Sequence, residues 1–87
     1  MDPKARQLLD DFINHSHKGM PRSFDMHRFL DFVIAVHQER LQASMDEVLE
    51  LTMQADFPEH IAVRLAMVFN YGVELLKRYD KRLSPPQ

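Results

Sequence analysis

The stretch from residue 58 to residue 82 most constrains the fold, because apolar side chains follow helical spacing along two adjacent faces of it. The first stripe is Ile61, Leu65, Val68, Gly72, Leu75 and Tyr79, and the second is Ala62, Ala66, Phe69, Val73, Leu76 and Leu83. Two adjacent stripes exceed what one packing partner covers, so we expect this helix to contact two neighbours. A glycine inside a helix costs about 1 kcal/mol relative to alanine. Gly72 therefore indicates either close approach of another helix or a kink.

Two earlier helices are predicted upstream, over residues 3–18 and 24–42. Asp2 suits the N-cap of the first and Pro3 suits its first turn. The second is expected to begin near Ser23 or Asp25, and its middle, 29–36, is apolar almost all the way round. A strand is the competing interpretation of that run. It is rejected because strict alternation is absent and residues 26–41 contain no turn residue to bound a strand. We therefore predict a buried central helix.

A third helix is predicted over residues 45–55, where Ser44 and Glu47 have the spacing of a capping box. The break before it is weakly marked, and one continuous helix over 25–54 stays open as an alternative. Asp56, Phe57 and Pro58 form a firmer boundary before the last helix.

These elements predict an all-α bundle of three to four helices, with helices two and four at its centre. Residues 1–83 are expected to form a single domain and 84–87 a flexible tail. Core positions are predicted at the following residues: Leu30, Val33, Leu65 and Leu76.

Charge and composition exclude several classes of protein. There is no cysteine, which fits a reducing compartment, and no apolar run approaches the roughly 18–20 residues that a membrane span requires. We expect a cytoplasmic protein. Residues 44–76 hold a single basic side chain, Arg64, among six acidic ones, whereas 77–83 are basic. The chain thus has a neutral first half, an acidic middle and a short basic end.

No pattern of catalytic or metal-binding residues is recognisable. The five histidines do not reproduce zinc spacing, and His15 and His17, two residues apart, point to different sides of a helix. Two glycines in total cannot build a phosphate-binding loop, and cysteine nucleophiles are absent. We predict no enzyme activity, no cofactor and no metal site.

The function expected from these features is protein–protein interaction. The chain would act as a small regulator, adaptor or inhibitor by presenting a helical surface to a partner, and it would self-associate as a homodimer. The predicted self-association or partner surface is the second stripe of the last helix: Ala62, Phe69, Val73 and Leu76. Antiparallel pairing of two such helices would bring the basic end of one chain near Asp56 and Glu59 of the other.

The alternative is a DNA-binding transcriptional regulator. Residues 45–66 have the helix–turn–helix order, and the basic end could contact a polyanion through Lys77, Arg78, Lys81 and Arg82. Against it, the helix that would enter the major groove starts with Glu59 and His60 and follows an acidic segment. Phosphate repulsion opposes such docking.

Overall fold

The computed structural model describes residues 1–17 and 26–83, and within these ranges the chain forms four α-helices. They are α1 (Pro3–His17), α2 (Met26–Gln38), α3 (Met45–Gln54) and α4 (Glu59–Leu83). The all-α fold class predicted from the sequence is confirmed, and 29–36 is helical. The predicted cap at Ser23 or Asp25, the predicted tail 84–87 and the side chains of 80–83 lie outside what the structure describes.

A reversal at Arg40 separates α2 from α3, so the alternative of one continuous helix is wrong. Arg40 has a positive φ of 55°. Its N–H donates to the carbonyl of His37 at 3.2 Å, and the N–H of Leu41 donates to the carbonyl of Val36 at 2.9 Å. This pair of bonds is the Schellman motif, which satisfies the last carbonyls of a helix. It ends α2 at Gln38, four residues before the predicted end at 42.

The end of α3 repeats the same motif. Asp56 has a φ of 68°. Its N–H donates to the carbonyl of Met53 at 3.1 Å, and the N–H of Phe57 donates to that of Thr52 at 3.1 Å. Schellman motifs usually place glycine at the left-handed position. Both helix ends here use other residues, so the usual sequence signal is missing.

The predicted capping box at the start of α3 is confirmed. The Glu47 N–H donates to Ser44 Oγ at 3.2 Å, and the Ser44 N–H donates to Glu47 Oε1 at 3.0 Å. Two donors that the first turn of a helix leaves without partners are thereby satisfied. The box fixes where α3 begins.

The helices pack in the spatial order α1, α2, α4, α3, which makes α2 and α4 central as predicted. Phenylalanine rings connect three of the helices: the Phe12 and Phe29 centroids are 5.1 Å apart, and those of Phe32 and Phe69 are 5.6 Å apart. The expectation that the last helix contacts two neighbours is also confirmed, since α4 packs against both α2 and α3.

The start of α1 is fastened to the connection between α2 and α3. The Asp2 N–H donates to the Gln42 carbonyl at 2.8 Å, and the Gln42 N–H donates to Asp2 Oδ2 at 2.6 Å. Lys4 also forms an ion pair with Glu39. These contacts hold the otherwise irregular 39–44 segment against α1.

Two of the four predicted core residues are fully enclosed. Val33 is 1% exposed and Leu65 0%, whereas Leu76 is only partly buried. The prediction for Leu30 is wrong, because this side chain is 37% exposed. The apolar run 29–36 is not buried all round: α2 turns one face inward and leaves Leu30 and Ile34 on the other. The inward face consists of Phe29, Phe32, Val33 and Val36.

Candidate interaction surfaces

The stripe of α4 predicted to bind a partner lies largely inside the folded chain. Ala62 is 0% exposed and Phe69 is 3% exposed, so neither is available to a second molecule. Val73 and Leu76 are half-buried and pack against the core. Within the chain, α2 covers Phe69, because the Phe32 ring stacks on it at an interplanar angle of 26°.

A different row of apolar side chains is exposed on α4. We call this row the α4 ridge; its members and their exposed fractions are Val63 38%, Met67 61%, Tyr71 69%, Leu75 50% and Tyr79 57%. They follow one another at four-residue intervals, which places neighbours in contact distance along a helix. At 1.5 Å per residue the ridge is about 24 Å long. Spacing alone could have found it, but polar residues are interleaved with it, and it shares Leu75 and Tyr79 with the first predicted stripe and no residue with the second.

An open groove lies between the end of α2, the 39–44 segment and the second half of α4. We call it the α2–α4 groove, and its volume is about 1110 Å³. Its apolar lining residues are Ile34, Val36, Leu41, Val73, Leu76 and Tyr79, with Ala43 beside them. The groove opens because α2 stops at Gln38 whereas α4 continues to Leu83.

Basic side chains surround this groove. Arg40, Lys77 and Arg78 line it and are exposed, and Glu74 is the one carboxylate among the lining residues. The Glu74 carboxylate lies 3.8 Å from the Lys77 ammonium. The α2–α4 groove therefore combines an apolar floor with a positively charged border.

The structure describes the side chains of two of the four residues predicted to contact a polyanion. Lys77 and Arg78 are exposed near the end of α4, while the side chains of Lys81 and Arg82 lie outside what it describes. In the predicted helix–turn–helix over 45–66, α4 begins with Glu59 and His60, both exposed. A carboxylate at that position faces solvent where DNA phosphates would have to approach.

A smaller cavity of about 490 Å³ lies between α1 and α2. Its lining residues include Asp11 and Asp31 as well as His15 and Arg28. Among the side chains that the structure describes, no three from His, Asp or Glu come together in a way that could hold a metal ion.

No protein-family model, curated protein or solved structure matches this chain. Of the helices described, none has both the length and the apolar character needed to cross a membrane.

Proposed function

We propose that this chain is a non-enzymatic protein–protein interaction module, a small regulator, adaptor or inhibitor, and that it self-associates through the α4 ridge. The observation that carries the proposal is the exposure of Met67, Tyr71 and Leu75, each at least half accessible to solvent. Full burial of one such side chain contributes about 1.5–3 kcal/mol. Burying a row of such side chains in an interface therefore favours association.

The spacing of the ridge supports a second copy of the chain as the partner. Rows at four-residue intervals on two helices interdigitate, with the helix axes crossing at about −50°. In an antiparallel pair centred on Tyr71, Met67 of one protomer lies opposite Leu75 of the other. Such an interface uses the same patch on both copies, as two-fold symmetric dimers do.

Apolar contact rather than charge favours this pair. In an antiparallel pair centred on Tyr71, Lys77 of one protomer lies level with Leu65 of the other and Arg78 with Arg64, while Glu59 lies level with the end of α4. Interactions between exposed charges are worth only about 0–1 kcal/mol each, so apolar burial has to supply the affinity.

Sedimentation equilibrium tests the proposal. The wild type is expected to be dimeric at ~100 μM, well above the micromolar dissociation constants of many specific complexes. Tyr71→Glu places a charge at the centre of the ridge and should give a folded monomer. Gln7→Glu, an exposed position of α1, adds the same charge away from the ridge and should stay dimeric. A wild type that remains monomeric, or a Tyr71→Glu variant that remains dimeric, overturns self-association through this surface.

A further inference from the structure

We propose that the α2–α4 groove binds a short acidic amphipathic helix from another protein. This inference rests on the proposed role as an interaction module but not on self-association, because the groove and the centre of the α4 ridge are separate surfaces. Tyr79 is the one residue that belongs to both.

The apolar floor indicates what one face of the occupant must be. Leu41, Val73 and Leu76 are half-buried, and Ile34 and Tyr79 remain 39% and 57% exposed. These side chains form one depression at the end of the contact between α2 and α4. Along that contact, Phe32 stacks on Phe69, Val33 lies close to Gly72, and the groove follows. Apolar side chains from a partner would cover a surface that the described residues leave open to water.

The length of the groove matches about two turns of a helix. On α4 it extends from Val73 to Tyr79, which is about 9 Å at 1.5 Å per residue, and one helical turn rises 5.4 Å. An occupant would present apolar residues at positions i, i+3 or i+4, and i+7, the pattern of helices that bind in grooves.

Other modes of peptide recognition fit the described residues less well. Addition of a strand needs an exposed sheet edge, and the described ranges contain no strand. Polyproline segments dock on grooves lined with aromatic side chains, whereas Tyr79 is the one aromatic residue that lines this groove.

The border of the groove specifies the charge of the occupant. Arg40 approaches from the end of α2, and Lys77 and Arg78 approach from α4, so cations flank the floor on both sides. Glutamates or aspartates beside the apolar face of a bound helix would meet these groups, and complementary charge favours association and rejects basic partners. The apolar floor distinguishes such a helix from nucleic acid, whose affinity comes chiefly from phosphate contacts.

Fluorescence anisotropy with a labelled synthetic peptide tests this assignment. The probe is a capped helical peptide of about three turns with leucines at i, i+4 and i+7 and glutamates on both sides of them. The counterpart carries lysines in place of the glutamates. The protein is the full chain carrying Tyr71→Glu, so that self-association does not enter the measurement. We expect saturable binding of the acidic peptide, weakening as salt rises, and at least about tenfold weaker binding of the lysine peptide.

Matched variants locate the site. Arg78→Glu should weaken binding about tenfold, because an attractive charge at the border becomes repulsive. Arg64→Glu makes the same charge change on an exposed position of α4 outside the groove and should leave affinity unchanged. Tyr79→Ala removes part of the floor and should also weaken binding. Circular dichroism of each variant confirms that the helices persist.

Three results overturn the assignment: no binding of the acidic peptide at ~1 mM protein, equal binding of the lysine peptide, or equal loss in Arg64→Glu and Arg78→Glu. A fourth is competition by duplex DNA that displaces the peptide at comparable phosphate concentration, which would indicate a general polyanion surface instead. Because the peptide assay uses the Tyr71→Glu chain, its outcome is independent of whether the wild type dimerises.

Discussion

A β-carbon added at Gly72 of α4 would lie 3.0 Å from Cγ1 of Val33 on α2. Carbon atoms in favourable contact are about 3.5–4.0 Å apart, so this separation is repulsive. Val33 is 1% exposed, and a β-branched side chain in a helix strongly prefers one rotamer, so it cannot turn away easily. The glycine predicted to mark a close approach or a kink therefore marks a close approach.

The first prediction concerns the sign of Gly72→Ala. In the wild type, overpacking costs about 1–3 kcal/mol, whereas the gain in helix propensity is about 1 kcal/mol. The substitution should lower the free energy of unfolding by up to about 2 kcal/mol. In a Val33→Ala background the clashing methyl group is gone, and the same change should raise stability by about 1 kcal/mol. Urea unfolding of all four proteins measures this cycle, and equal effects in the two backgrounds would contradict the contact.

The second prediction concerns Leu65 and Leu30, both of which the sequence predicts to be core residues. Leu65 is 0% exposed, so Leu65→Ala should cost about 2–5 kcal/mol. Leu30, at 37% exposure, already contacts water, and Leu30→Ala should cost about 1 kcal/mol or less. Chemical denaturation of the pair checks the order. A larger loss at Leu30 would mean that α2 is oriented differently.

The third prediction concerns the two left-handed residues that end α2 and α3. A left-handed conformation costs an ordinary residue about 1–2 kcal/mol, and the extra backbone entropy of glycine offsets about 0.5–1 kcal/mol of any relief. Arg40→Gly should therefore raise the free energy of unfolding by about 0.5–1 kcal/mol. Asp56→Gly should raise it less, because aspartate tolerates this conformation better than arginine does. Destabilisation by both changes would argue against these helix ends.

The fourth prediction concerns the carboxylate of Glu47. The Met1 amino group donates to Oε2 at 2.5 Å and the Ser44 hydroxyl donates to Oε1 at 3.0 Å. These bonds lower the pKa of Glu47 below its ordinary value of 4.5, and the bond from the amino group has the largest effect. A carboxylate with a lowered pKa in the folded state stabilises the fold above its ordinary pKa, and that stabilisation is lost as pH falls through the folded-state pKa.

The stability difference between wild type and Glu47→Gln should therefore be present at pH 7 and shrink as pH falls below 4.5. Urea denaturation across this range measures it. Glu50→Gln is the matched control on the same helix, since the Glu50 carboxylate instead accepts from Gln54 at 3.2 Å. A Glu47→Gln difference that does not change with pH would rule out the proposed role of the ionised carboxylate.

The sequence could not predict which residues form the α4 ridge and the α2–α4 groove. Apolar side chains lie on more than one face of α4, and periodicity cannot say which of these faces another helix covers. Phe69 is buried because α2 places Phe32 on it, and Tyr71 is exposed because no described helix lies over that side. The groove depends on where α2 ends. The left-handed residue at that end is Arg40 and not a glycine, so the usual sequence signal for a helix end is missing.

The sequence by itself determined the all-α fold class and the capping box at Ser44, and it marked Gly72 as either a close approach or a kink. These depend on hydrogen bonds and spacing within one or two turns, or on the absence of a side chain, and both can be read along the chain. Only the tertiary structure decided that Ala62 and Phe69 face inward while Met67 and Tyr71 face outward. That choice depends on how much apolar area every helix buries against the others at once, and no single segment of sequence contains this information.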